Sequence, residues 1–158
     1  MTKHSIKHYL ILASLLCFII YSTPGISAQN TTSASIDKTI EDSYASITNI
    51  QKQLSALLKA YFLNLVDDAN PKPSTSTLTI YANQLNQIYP KLTDIANSTS
   101  NEDQRIKSQI LISAIGYLKP AIADIETLLT STDANRQYTL FRSIIYLDNL
   151  LSELLSYF

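Results

Sequence analysis

Three adjacent acid pairs, Glu41-Asp42, Asp67-Asp68 and Glu102-Asp103, are the residues of this chain best placed to attempt chemistry. Two carboxylates flanking a bond can divide the roles of acid and base between them. Asp67, Asp68 and Asn70 could also present oxygens to Ca²⁺. The spacing argues against both uses. A calcium cage takes about six to eight oxygens, and three donors at irregular intervals fall short. No spacing along the chain suggests two acids converging in a cleft. Glu41-Asp42 and Glu102-Asp103 stand near expected helix starts, where the helix dipole favours negative charge. Asp67-Asp68 stands at an expected helix end and reads as a solvated loop before Pro71. No metal site, cofactor site or catalytic residue is expected.

The positions of histidine and cysteine sharpen this. His4, His8, Cys17 and Met1 all fall within the first 28 residues. That stretch opens with Lys3 and Lys7, continues with an apolar run from Tyr9 to Tyr21, and ends Pro24-Gly25-Ile26-Ser27-Ala28. The order is that of a secretory signal peptide, and the run is shorter than the roughly 20 residues that span a bilayer. The expected cut follows Ala28, with Ala34 as the second choice. Residues 1–28 are then the signal peptide and 29–158 a single helical domain, with 29–35 as a mobile end and no membrane span after cleavage.

Cleavage leaves ten basic against thirteen acidic residues, a net charge of −3, and no His, Cys, Met or Trp. Ser-His-Asp and Cys-His nucleophile systems are thereby excluded, as are Glu-x-x-His di-iron ligands, the usual zinc sites and Cys-bound clusters. One glycine, Gly116, cannot build a phosphate loop. The mildly acidic chain with scattered basic residues does not suit nucleic acid. An exported domain that folds without disulfides fits a bacterial envelope or an extracellular location. The glycosylation triplets at Asn30 and Asn97 are expected by chance in a chain this rich in Asn, Ser and Thr.

Four segments carry apolar residues at helical spacing. The first runs from Ile36 through Ile40, Tyr44, Ile47, Ile50, Leu54, Leu58 and Tyr61 to Leu65, with Ser33 or Ser35 as its cap. "NPKPSTST" interrupts the chain, and the second segment carries Leu78, Tyr81, Leu85, Ile88, Leu92 and Ile95. The third follows a capping-box spelling, Thr99 to Glu102, with Ser100 as a rival cap. It carries Ile106, Ile110, Leu111, Ile115, Tyr117, Leu118, Ile122, Ile125 and Leu129. The fourth follows Thr132 or Asp133. Its heptad seam is Leu140, Ile144, Leu147, Leu151, Leu154 and Phe158, widened by Phe141, Ile145, Leu150 and Leu155. The economical arrangement is an all-α, antiparallel up-down-up-down four-helix bundle.

Pro90 and Pro120 follow residues that do not cap helices, and the apolar spacing continues through both. Bends are expected, not breaks: the third helix kinked near Gly116 and Pro120, the second at Pro90. Across Pro120 the stripe, taken from Ile106, Ile110 and Tyr117, turns by roughly 90°. Such a kink either lets a long helix follow its neighbours or opens a cavity lined by Tyr89, Pro90, Tyr117 and Pro120. Most of the eight tyrosines left after cleavage read as boundary packing, with the hydroxyl reaching water or backbone. Tyr146 and Tyr157, with Leu63 and Val66, lie off their stripes and form a candidate partner surface.

The expected protein is a non-enzymatic bundle that binds another protein or an envelope component. The alternative is a carrier or sensor for a small apolar ligand held among tyrosines. The seam of the fourth segment leaves monomer and weak homodimer both open. Export makes one direct prediction: N-terminal sequencing of protein recovered outside the cytoplasm yields Gln29 as its first residue. Recovery of chains that retain Met1 to Ala28 would contradict it.

Overall fold

The computed structural model describes the backbone of residues 25–66 and 75–158, and the side chains of 33–61 and 75–158. Among these residues the chain forms four α-helices and no strand: α1 (Gly25–Val66), α2 (Thr75–Ser98), α3 (Glu102–Thr130) and α4 (Ala134–Leu155). The expected all-α four-helix class is what the chain adopts. Two compact units divide it, Met1–Asp37 and Lys38–Phe158, and the packing described below lies in the second.

Each helix buries a seam whose members alternate spacings of three and four. In α1 it is Ile40, Ser43, Ile47, Ile50 and Leu54, with Tyr61 two turns further on and Leu58 half-buried between them. In α2 Leu78, Leu85, Leu92 and Ile95 are buried, and Tyr81 and Ile88 fill the intervening positions half-buried. In α4 the buried line is Ile144, Leu151 and Leu155.

The seam of α3 is Gln104, Ser108, Leu111, Ile115, Leu118, Ile122 and Ile125, a four-three repeat that runs straight through Pro120. The 90° turn of the stripe expected there is absent. That turn came from counting Ile106 as core and two polar residues as surface. The reverse holds: Ile106 is 45% exposed, whereas Gln104 and Ser108 are 2% and 0% exposed. Gln104 is accommodated by Thr99, whose Oγ1 donates to its Oε1 at 2.7 Å. Ser108 Oγ has no partner among the described residues. Ala114, Ala121 and Leu128 form a second buried row at seven-residue intervals, so among the described residues α3 is packed on more than one side.

Cross-helix pairs fix the directions. Gln51 Nε2 donates to Asp148 Oδ1 at 2.9 Å, and Gln137 Nε2 donates to Tyr61 Oη at 3.1 Å. Numbers rise along α1 as they fall along α4, so these two are antiparallel. Ser143 Oγ donates to Asp124 Oδ2 at 2.8 Å, and Lys107 Nζ lies 5.9 Å from the Phe158 ring, which opposes α3 and α4. Thr99 meets Gln104 while Lys119 Nζ lies 5.1 Å from the Tyr89 ring, which opposes α2 and α3.

Several boundaries differ from expectation. Helix α1 begins at Gly25, so Ser33 and Ser35 lie inside it and do not cap it. No proline or glycine occurs from Ile26 to Val66, and nothing local stops the helix from reaching back to Pro24. Residues 29–35, marked by composition as a mobile end, are helical. Glu41 and Asp42 are consequently mid-helix and exposed, and the dipole does not account for them. Asp67, Asp68 and Asn70 lie outside the described residues. The cap of α3 is Asn101, not Thr99 or Ser100: its Oδ1 accepts from the Asp103 and Gln104 amides at 3.0 and 3.4 Å. Asp133 caps α4 in the same way. Ile145, expected to widen the α4 seam, is 43% exposed, because it lies about 100° around the helix from Ile144.

Pro90 and Pro120 stand inside uninterrupted helices, and both are exposed. Each deprives the carbonyl four residues earlier, Asn86 or Gly116, of its helical donor. Both of those residues are exposed, so water can serve the freed oxygen. Gly116 has no positive φ, and a Cβ built on it would meet nothing within 4 Å. Sterics therefore do not require glycine there. Gly116→Ala is expected to stabilise the fold by about 0.5–1 kcal/mol, read as a raised urea midpoint at unchanged slope. A lowered midpoint would mean that the helix near Pro120 needs the freedom of glycine.

Candidate functional site

Where α1, α3 and α4 meet, the seams leave a groove of about 290 Å³ that is partly open to solvent. Its walls are apolar: Leu54 and Leu58 from α1, Tyr117, Leu118, Ala121 and Ile125 from α3, and Ile144, Leu147 and Leu151 from α4. The space has a local cause. Ala121 is small, and Tyr117 and Leu147 stand one step outside the buried lines, half-covered rather than interlocked.

Gln51, Ser55 and Asp148 bring polar groups to the same groove. Gln51 Nε2 donates to Asp148 Oδ1 at 2.9 Å and to Ser152 Oγ at 2.8 Å. Ser55 Oγ lies 3.5 Å from both carboxylate oxygens of Asp148. Ser152 Oγ donates to the Asp148 carbonyl at 2.8 Å. Asp148 is thus held by neutral donors alone. Its spacing gave one clue, as an acid placed between the seam residues Leu147 and Leu151. Nothing in the spacing pointed to Gln51 or Ser55.

Of the four residues expected to share a cavity, only Tyr117 lines this groove. Tyr89 is 42% exposed, and Pro90 and Pro120 are exposed as well. The structure does bring the two proline regions together, since Lys119 Nζ approaches the Tyr89 ring, but as a surface and not as a cavity. Leu85 and Leu92 in α2, and Leu118 and Ile122 in α3, take the seam positions on either side of the prolines and turn the rings outward.

A second feature is the outer face of α4. Tyr138, Arg142, Ile145, Tyr146, Asn149 and Glu153 are all exposed and fall within about 100° of arc. Tyr138 and Tyr146 are each 63% exposed, and Tyr157, just past the helix, is 71% exposed. Arg142 lies 5.9 Å from the Tyr138 ring. Of the expected partner surface, Tyr146 and Tyr157 are therefore at the surface. The side chains of Leu63 and Val66 lie outside the described residues. Tyr138 and Ile145 were not anticipated, although their spacing to Arg142 and Tyr146 is that of one helical face.

Two ion pairs stand at the start of α3. Arg105 donates to Glu102 at 2.7 and 2.9 Å, and Lys107 meets Asp103 at 2.7 Å. Hydrogen bonds from Arg105, reinforced by its charge, hold the Glu102 carboxyl below the usual range and raise Arg105 in turn. Among the described residues no group of three His, Cys, Asp or Glu could hold a metal ion, and no helix is long and apolar enough to cross a membrane. The groove is a small apolar recess with one carboxylate at its edge, and the α4 face is an aromatic stripe.

No protein-family model, curated protein or solved structure matches the chain.

Asp148 ties α1 to α4. Asp148→Ala removes the acceptor from Gln51 and Ser55 and is expected to lower stability by about 1–2 kcal/mol. Asp148→Asn keeps an acceptor and should lose less. Thermal unfolding of the two variants checks the order, and equal losses would assign the effect to packing alone.

Proposed function

We propose that this chain is a small exported, non-enzymatic helical bundle that binds another protein or an envelope component outside the cytoplasm. The observation that supports it most is the outer face of α4. Tyrosine and arginine are the residue types enriched where binding energy concentrates, and here Tyr138, Arg142, Ile145 and Tyr146 share one exposed stripe. None of the three apolar members contributes to the buried seams, so folding does not explain them. The signal-like N-terminal segment supports the location, and the residue types left after its removal support the absence of catalysis.

A second reading, a carrier or sensor for a small apolar molecule, draws support from the groove beside Tyr117. Its 290 Å³ includes space open to solvent, and the enclosed part has room for about one water molecule, far below the roughly 300–1,000 Å³ usual for small-molecule sites. The first reading is preferred for that reason.

A photo-activated cross-linker at position 146 separates the two. In the producing cells it is expected to form a covalent adduct with a protein, while the same group at exposed Gln109 on α3 forms none. Equal labelling at both positions would remove the support for α4, and a co-purifying small molecule seen by native mass spectrometry would favour the groove.

A further inference from the structure

We propose that the α4 face is a self-recognition surface on which a second copy of this chain docks antiparallel, as a weak two-fold dimer. This rests on the reading of α4 as a protein-binding face and names its occupant.

Charge and register single out this occupant. Helix α4 carries four charged residues. Arg136 lies off the stripe, and Asp148 points to α1, where Gln51 and Ser55 hold it. Only Arg142 and Glu153 lie on the exposed stripe, one near each end of it. Among the described residues neither makes an ion pair within the chain.

In an isologous antiparallel pair, residue i of one copy meets residue j of the other when their numbers share a constant sum. Setting Arg142 against Glu153 of the second copy places the two-fold axis between positions 147 and 148. Two symmetric ion pairs follow, roughly 16 Å apart along the helix at 1.5 Å per residue. Arg142 and Glu153 lie within about 20° of each other around the helix, so both reach the same side of the contact.

Tyr146 and Asn149 fill the centre. Each lies one and a half residues from the axis, so Tyr146 stands level with Asn149 of the second copy, and each is offset from its own counterpart by about 4–5 Å along the helix. That spacing suits stacked tyrosine rings and a reciprocal amide pair. Ile145 closes one flank. A parallel pairing in register would set Arg142 against Arg142 and Glu153 against Glu153, which is repulsive. The face thus selects both its partner and its direction.

Size sets the strength. A stripe of about six side chains falls well below the 20–30 residues a side of a stable complex. Dissociation in the range of roughly 10 μM to 1 mM is expected, tightening at low salt because both ion pairs are exposed.

The test is sedimentation equilibrium of the whole chain across that range, with circular dichroism to confirm that helicity is unchanged in every variant. Arg142→Glu and Glu153→Arg should each weaken self-association by about tenfold. The double variant should recover it to within about threefold, because every pair is restored with signs exchanged. Mixing the two single variants should produce a heterodimer, since one copy then carries two acids and the other two arginines at facing positions. A chain that stays monomeric at 1 mM overturns the proposal, as does a dimer indifferent to both single reversals. Failure of the mixture to associate, with the wild type dimeric, overturns the antiparallel register. A monomeric chain that still cross-links a different protein from position 146 would sink the dimer and leave the protein-binding role standing.

Discussion

The structure depends on one constraint: α3 must bury an unbroken four-three line along its length while carrying a proline in its middle. The line from Gln104 to Ile125 faces the bundle, and Pro120 stands outside it. Were Pro120 one of the seam positions, its missing amide and the freed Gly116 carbonyl would fall where no water could reach them, and orphaned polar groups in a core are expensive. On the exposed side the same defect is mild. The amphipathic pattern thus decides where a helix-breaking residue is tolerated, and helices on either side can pack against α3 as though it were uninterrupted. With no disulfide available after residue 17, closure of these apolar lines has to supply the stability of the fold.

The fold was legible because four- and three-residue spacings survive in the sequence of α1, α2 and α4 almost without exception. The errors came from residues whose chemistry and position disagree. Gln104 and Ser108 are polar and buried, Ile106 and Ile145 are apolar and exposed, and a count based on polarity inverts all four. Gln104 is tolerated because Thr99, next to the cap of the helix, supplies its hydrogen bond. Helix starts were misplaced for a related reason. Several residues near each boundary can cap, and backbone geometry chooses among Thr99, Ser100 and Asn101 in a way that composition does not record.

The groove was less legible than the fold. It is what remains where three seams fail to interlock, and such a remainder depends on side-chain sizes on three helices at once. Tyr117 was recognisable as an aromatic beside a stripe. Its companions were not, since Gln51 and Ser55 on α1 meet Asp148 on α4 only after the helices have been laid antiparallel. The same contact shows what polar groups do at the edge of this core. Apolar seams with a common repeat can slide by one heptad at modest expense, but a carboxylate that must meet two particular donors holds the register. Tyr61 acts alike at the other end of α1, where its hydroxyl donates to the Leu128 carbonyl at 3.3 Å and accepts from Gln137.

Once inner faces are committed to seams and their edges to register, the outer faces are free of folding demands, and their composition becomes informative. Helix α4 could satisfy every internal requirement with lysine, glutamate or alanine at positions 138, 145 and 146. Those residues favour helices more than tyrosine or isoleucine does and do not expose large apolar surface. Scattered apolar residues on a surface are ordinary, but three of them on one stripe, with a guanidinium against one of the rings and an acid two turns beyond, form a pattern that packing within the chain does not generate. The stripe also avoids the hazard such surfaces carry. Its Arg142 and Glu153 set opposite charges along the stripe, and a surface of that kind penalises any partner that leaves them unpaired.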